Sequence, residues 1–309
     1  MRTNFYIYIG IILSTVFWGS NFNAGAFVVG HLSPMVAAAE RFVIATFFIM
    51  AYLFWKEKNN LSVLRNNAIV FAILGLLGIS GFNLSLFIGL KSTSATNGAL
   101  IMATTPITTL IISTLLSKSR IAINQMIGIL FSFSGVVFVI SKGNMDNIIE
   151  LNFSKGDFII FIGSICWCLY TIGCQRFIKN SSALQTTSFT MFFGTLGIVL
   201  SAAVSSDMIT ELLFAPVSVH FAAIYMGIAG SVLAYLFWNV GLSKVGAANT
   251  SIFFNLVPVF TMLITACTGI LPSPSQLTGA LLVIVGVVLS TGGYKLIVKT
   301  SNQQNLGTQ

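Results

Sequence analysis

Residues 89–112 read GLKSTSATNGALIMATTPITTLII, and residues 241–264 read GLSKVGAANTSIFFNLVPVFTMLI. Set side by side, Gly89-Leu90, Ala95, Asn97, Pro106, Thr109 and Ile112 recur 152 positions later as Gly241-Leu242, Ala247, Asn249, Pro258, Thr261 and Ile264. The match runs on in both directions. Gln125, Gly128 and Gly135-Val136-Val137 recur 151 later as Gln276, Gly279 and Gly286-Val287-Val288, and Trp18 recurs 149 later as Trp167. Small changes of offset are what loop-length differences produce, and chance does not readily give a collinear series. The chain reads as two copies of one unit, residues 1–145 and 153–298, followed by a polar tail at 300–309.

The composition says where such a unit can fold. Of 309 residues 56% are hydrophobic and 7% charged, and the mean hydropathy is +0.93. A soluble domain carries about a quarter of its residues as charges, so this chain could not cover its surface in water. A soluble Rossmann enzyme, a nucleic-acid-binding module and a secreted disulfide scaffold are excluded, and a membrane protein is expected. The net charge of +8 is then a matter of topology and not of phosphate binding. Cys166, Cys168, Cys174 and Cys267 all fall in apolar runs, without zinc spacing, and read as small packing residues.

A spanning helix needs about 20 mostly apolar residues. Ten runs qualify: Phe5–Val29, Pro34–Trp55, Ala68–Leu90, Ser94–Leu116, Gln125–Ser141, Asp157–Ile178, Leu184–Val204, Val217–Val240, Ala247–Ile270 and Gln276–Ile297. No small-residue cleavage site ends a short apolar core near Met1, so the first run is a span and not a leader. With the N-terminus inside, Arg2, Lys56, Lys58, Arg65, Lys118, Arg120, Arg176, Lys179, Lys244, Lys295 and Lys299 are cytoplasmic. Only Lys91, Lys142 and Lys155 are external, which places both termini in the cytoplasm.

Five spans make an odd number, so the second copy enters the membrane upside down. The charges agree: the second-to-third connection carries Lys56, Lys58 and Arg65, and its counterpart carries Asp207 and Glu211 without Lys or Arg. The fold expected is all-α, with ten transmembrane helices as two inverted five-helix repeats. Such halves can exchange conformations and open a central site first to one face and then to the other.

Phe17-Trp18-Gly19-Ser20-Asn21-Phe22, Arg41-Phe42, Gly89-Leu90 with Ala95 to Ala99 and Pro106, and Gly241-Leu242 with Ala247 to Pro258 together resemble the EamA family of the drug/metabolite transporter superfamily. The resemblance covers about residues 5 to 297. It implies a carrier in a bacterial cytoplasmic membrane, often an exporter of amino acids or related metabolites. Such proteins often carry a Gly-Glu pair after the fourth and ninth helices. Here those places read Leu116-Ser117-Lys118-Ser119-Arg120 and Ile270-Leu271-Pro272-Ser273-Pro274, so gating or proton coupling through that pair does not carry over.

Candidate substrate-binding residues are the polar and aromatic side chains inside the spans. Glu40 and Arg41 are adjacent charges within the second span. A central charge costs about 2.5–3.5 kcal/mol on insertion scales, and each apolar residue returns only about 0.3–0.6. Neighbours on a helix point about 100° apart, so at least one of the two must find a partner on another helix. Two readings stand. In one they are a structural pair near the outer interface, with Arg41 snorkelling to headgroups. In the other Arg41 meets an anionic substrate group, and Glu40 is a counter-ion or proton site.

Pro106 and Pro258 interrupt matching helices and free the carbonyls of Met102 and Phe254. Paired interruptions point to a midplane site, though kinks for packing give the same pattern. Asn21, Asn23, Asn83, Asn97, Asn239, Asn249 and Asn255 need partners that lipid does not offer. Of these Asn21, Asn83 and Asn255 are assigned to the site, with Trp18, Trp167, Tyr170, Tyr235 and Trp238 as cavity-lining rings. Gly75, Gly78 and Gly81, and Gly227 with Gly230, read as close helix packing. His31 and His220 receive no role.

No hydrolase elbow, zincin motif or phosphate loop is present, and no cofactor or metal is expected. The partners expected are a small-molecule substrate, membrane lipid and either a coupling proton or a counter-substrate, with no nucleic acid; the oligomeric state is open. The leading expectation is a secondary transporter of an amino acid or related metabolite. Uptake or exchange of a nucleotide-related metabolite is the alternative. A channel, a passive scaffold and a lipid-modifying enzyme are the rivals of other classes.

Overall fold

The computed structural model describes residues 2–58, 60–89, 91–92, 98, 101–118, 121–141, 144, 146, 154–205 and 207–291. Among these, nine helices are long and apolar enough to cross a membrane, and a tenth is shorter. In chain order they are α1 (Phe5–Val29), α2 (Pro34–Lys56), α3 (Asn60–Gly89), α4 (Ile101–Ser117), α5 (Ile123–Ser141), α6 (Lys155–Arg176), α7 (Ala183–Ser205), α8 (Val217–Val245), α9 (Ala247–Ala266) and α10 (Pro274–Thr291). The described chain is helical throughout, as the composition requires, because lipid leaves no partner for an unpaired backbone group. Phe47, Phe48, Leu130, Phe131, Val204 and Phe221 face outward, where lipid replaces water. The start of the fourth expected span, with Ala95 and Asn97, the end of the tenth, and the tail 300–309 lie outside the described residues.

Some boundaries differ from expectation for local reasons. α3 begins at Asn60, eight residues before the apolar run, because its polar first turns are tied down. Asn60 Nδ2 donates to the carbonyl of Glu57, and Asn67 Nδ2 to that of Lys179. α9 stops at Ala266, and the chain then turns through Gly269 at φ 92°. A short helix, Met208–Phe214, sits in the α7–α8 connection with Asp207 as its cap. α8 ends where Gly246 takes φ 86°, a conformation that strains any residue with a Cβ.

The repeat is visible in pairs of residues that meet their own counterparts. Thr46 Oγ1 on α2 lies 2.7 Å from Thr195 Oγ1 on α7, 149 positions on. α5 and α10 cross with almost no side chain between them. A methyl group on Gly128 would collide with Ser290 and the carbonyl of Gly286, and one on Gly135 with the carbonyl of Gly279. Since Gly128 corresponds to Gly279 and Gly135 to Gly286, each contact is the other's image. When residue i meets j and j meets i, a two-fold axis runs between them. Here the axis passes between α2 and α7 and between α5 and α10.

Irregular turns recur in the same way. A π-helical turn widens α3 at Leu76–Gly81 and α8 at Met226–Leu233. The backbone breaks at Thr104 in α4 and tightens to a 3₁₀ turn at Ile252–Asn255 in α9. Pro106 and Pro258 therefore sit in the first turn of a resumed helix, where the missing donor costs least.

Candidate functional site

The elements on the axis enclose a cavity of about 500 Å³. Trp18, Trp167 and Tyr235 form its floor, with Phe254 and Met102 beside them. Trp18 and Trp167 are repeat counterparts and meet edge to face at 5.5 Å between centroids. Asn83 and Tyr235 are counterparts at a spacing of 152, and both line the cavity. Met102 and Phe254, whose carbonyls the prolines free, are a third pair on the wall. The cavity is thus built by the same sequence positions taken twice, and it lies where the two copies face each other.

From this floor the cavity widens towards Val29, Pro34 and Lys91, at the α1–α2 and α3–α4 connections. Those connections lie on the face opposite the one where α1 begins. Towards the N-terminal face the space is filled. Tyr170 stacks on Trp167 at 5.3 Å, and Trp238 packs on Trp18 at 5.1 Å, both fully buried beneath the floor. Asn239 Nδ2 donates to the Tyr170 hydroxyl and to Thr187. Polar contacts between connections then close that face. Ser182 Oγ donates to the Glu57 carboxylate at 2.8 Å, Gln185 Nε2 to Asn60, the Ala247 N–H to Gln175, and Arg176 to the carbonyl of Leu116. The structure is open to one face and shut to the other.

Of the residues singled out from sequence, Trp18, Asn21, Arg41, Asn83, Trp167 and Tyr235 line this cavity. Tyr170 and Trp238 form the layer beneath it. Asn255 donates to Ser132 and lines a neighbouring hollow of about 590 Å³, which shares Phe22, Met102, Phe254 and Val257 with the first. Pro258 borders that second hollow, while Pro106 is buried in α4.

Glu40 and Arg41 do not pair with each other; both bind α8. Arg41 Nε donates to Ser231 Oγ at 2.8 Å and Nη2 to the carbonyl of Gly230 at 3.2 Å, within the π-helical turn. A π turn leaves a carbonyl out of register with its helix, and Gly230 offers that oxygen to Trp18 as well, at 3.0 Å from Nε1. Among the described residues no carboxylate lies within ion-pair distance of Arg41, and no Asp or Glu lines the cavity. Glu40 lies back from the cavity, with Oε1 2.5 Å from His220 Nδ1.

Asn21 stands at the cavity wall, 8% exposed, with neither amide atom hydrogen-bonded. An unsatisfied buried polar group costs about 1–3 kcal/mol, so this amide is poised for a ligand or for another conformation. Sequence reasoning missed His220 and the π turn that receives Arg41. The signal was present: Gly75 and Gly78 recur at Gly227 and Gly230, again 152 apart. A methyl on Gly78 would strike the Tyr170 ring and one on Gly230 the Asn21 amide, and Tyr170 and Asn21 are themselves counterparts.

The sequence matches the EamA-like transporter family twice, over residues 5–141 and 154–292. It is 39% identical over 299 residues to the uncharacterized transporter YyaM of Bacillus subtilis, covering 97% of this chain and 98% of that one. A more distant relative, 21% identical over 219 residues and 71% of each chain, is a probable terminal-alkyne amino-acid exporter of Streptantibioticus cattleyicolor. The fold matches a solved crystal structure with a TM-score of 0.75 at 20% identity, over 93% of this chain and 97% of the other. With its apolar helices, paired repeats and axial cavity, the chain belongs to the EamA-like transporter family, as a multi-pass membrane protein.

Proposed function

We propose that this transporter moves an amino acid or related carboxylate-bearing metabolite out across the cytoplasmic membrane, by alternating access of the axial cavity. The observation that carries the reading is the cavity itself: it sits between equivalent positions of two copies, opens to one face and holds an arginine with no carboxylate partner among the described residues. The excess of Lys and Arg on the N-terminal face supports a cytoplasmic placement of that face, and in this reading the form described is the one open to the outside.

In this reading Arg41 takes the substrate carboxylate with the guanidinium N–H groups not used on Ser231 and Gly230. The unpartnered Asn21 Oδ1 and the faces of Trp18 and Trp167 receive an ammonium group. Phe22, Phe87 and Met226 accept an apolar side chain. The amino-acid exporter among the relatives supports this substrate class.

Exchange of shape between the halves closes the outer mouth and opens the contacts around Glu57 and Ser182, carrying the substrate across. Reconstitution into liposomes tests it, with radiolabelled amino acids and their oxo acids exchanged across the bilayer. Saturable flux of at least one compound, reduced tenfold or more in R41Q, is expected. Flux that never saturates, or none for any compound, contradicts the reading.

A further inference from the structure

The Glu40–His220 contact is built unlike a packing tie. Glu40 is the seventh residue of α2 and His220 the fourth of α8, so both lie inside the bundle near the open face. The Glu40 side chain is 11% exposed and the imidazole 33%, so neither is sealed in the interior. Glu40 Oε1 takes the imidazole, while Oε2 is buried with no hydrogen-bond partner among the described residues.

Other ionisable groups on the elements around the pair are committed elsewhere. Arg41 is turned round α2 to Gly230 and Ser231. Glu211 of the short helix accepts the Ser33 N–H, and Asp207 binds Thr210. His31 at the end of α1 lies on the carbonyl of Phe27, and Tyr225 of α8 pairs with Ser20. Lys91, beyond α3, lines the cavity mouth, and α7 carries no ionisable side chain.

We infer that Glu40 and His220 form a proton-binding site that sets the conformational balance of the cavity beside it. The inference rests on the alternating-access reading for its role in transport, and its test does not. One proton, taken from solvent at the open face, is all that is exchanged. With it, imidazolium and carboxylate compensate each other and hold the start of α8 against α2. Without it, a carboxylate with one bare oxygen remains in an apolar setting opposite a neutral ring, and that is the costlier state. Imidazole is the side chain whose charge in general changes between pH 5 and 8. Glu40 and Arg41 are consecutive residues, so any shift of α2 against α8 that follows the proton also moves the guanidinium.

The test needs no substrate. A spin label is placed at Ala26, on the cavity wall near its mouth, in full-length protein in lipid nanodiscs with Cys166 and Cys267 replaced. Its accessibility to a neutral nickel chelate is measured from pH 5 to 8.5. A single-proton curve is expected, with accessibility falling at least threefold as pH rises. E40Q and H220Q each flatten that curve, and H31Q leaves it intact. A flat curve in the parent, or an unchanged one in E40Q or H220Q, overturns the inference. If neither variant folds, the pair is a structural tie and the inference also fails. Confirmation here with no flux of any compound would sink the transport reading and leave the proton site standing.

Discussion

Arg41 and Asn21 define the chemistry that can occur in the cavity, one by charge and one by want of a partner. A guanidinium between Phe42 and the π turn of α8 is held, among the described residues, by two neutral acceptors, which leaves its charge for an anion. Replacement by Lys keeps the charge but loses the fork that grips a carboxylate. R41K is therefore expected to raise KM about tenfold with a smaller change in turnover, read in a concentration series of the flux assay. Asn21 predicts an opposite pairing of effects. N21L removes a buried amide with two unsatisfied atoms, and stability should rise by about 1–2 kcal/mol, seen as a higher Tm, while transport falls. A lower Tm would show that the amide has a structural partner. At this scale much was legible. The adjacent charges, the recurrent Trp and the intramembrane Asn residues are each costly in lipid, and Arg41, Trp18, Trp167, Asn21 and Asn83 among them line the axial cavity. What was not legible was direction: Glu40 turning to His220, and Tyr170 and Trp238 lying under the floor, depend on helix rotation that a sequence pattern does not fix.

Whole helices carry the next set of consequences. α5 and α10 approach so closely at Gly128, Gly135, Gly279 and Gly286 that any side chain there forces them apart. G135L is expected to destabilise by more than about 2 kcal/mol, as overpacking does, or to abolish folded yield in size-exclusion chromatography. The connections make a different prediction. Glu57 meets Ser182 on the N-terminal face, and on the other face Glu211 meets Ser33, the counterpart of Ser182. A disulfide in E57C/S182C should stop flux and leave the cavity open to its present face, with reductant restoring transport. The ten elements were readable from hydropathy, since each must be apolar for the length of a bilayer. Their interruptions were only half readable: prolines announce the breaks at Thr104 and Asn255, but the π turns carry no residue signature beyond recurrent glycines.

At the scale of the molecule, what matters is that contacts across the axis join a position to its own copy. Thr46 with Thr195 and Trp18 with Trp167 are such contacts, and they bring the two halves together at the cavity. The halves are nevertheless in different states. Trp18 bonds the π-turn carbonyl of Gly230, and its copy Trp167 has no hydrogen-bond partner for Nε1 among the described residues. An exchange of these two arrangements would turn the cavity towards the other face. The most direct measurement is cysteine accessibility at Ala26 and at its copy Gln175, probed with an impermeant reagent from each side of oriented vesicles. The account predicts that Ala26 reacts only from the face away from the N-terminus and Gln175 only from the N-terminal face. It predicts further that Ala26 still reacts from that face when the E57C/S182C bridge holds the described form. Labelling of both positions from the same face, or loss of Ala26 labelling in the bridged protein, would contradict it.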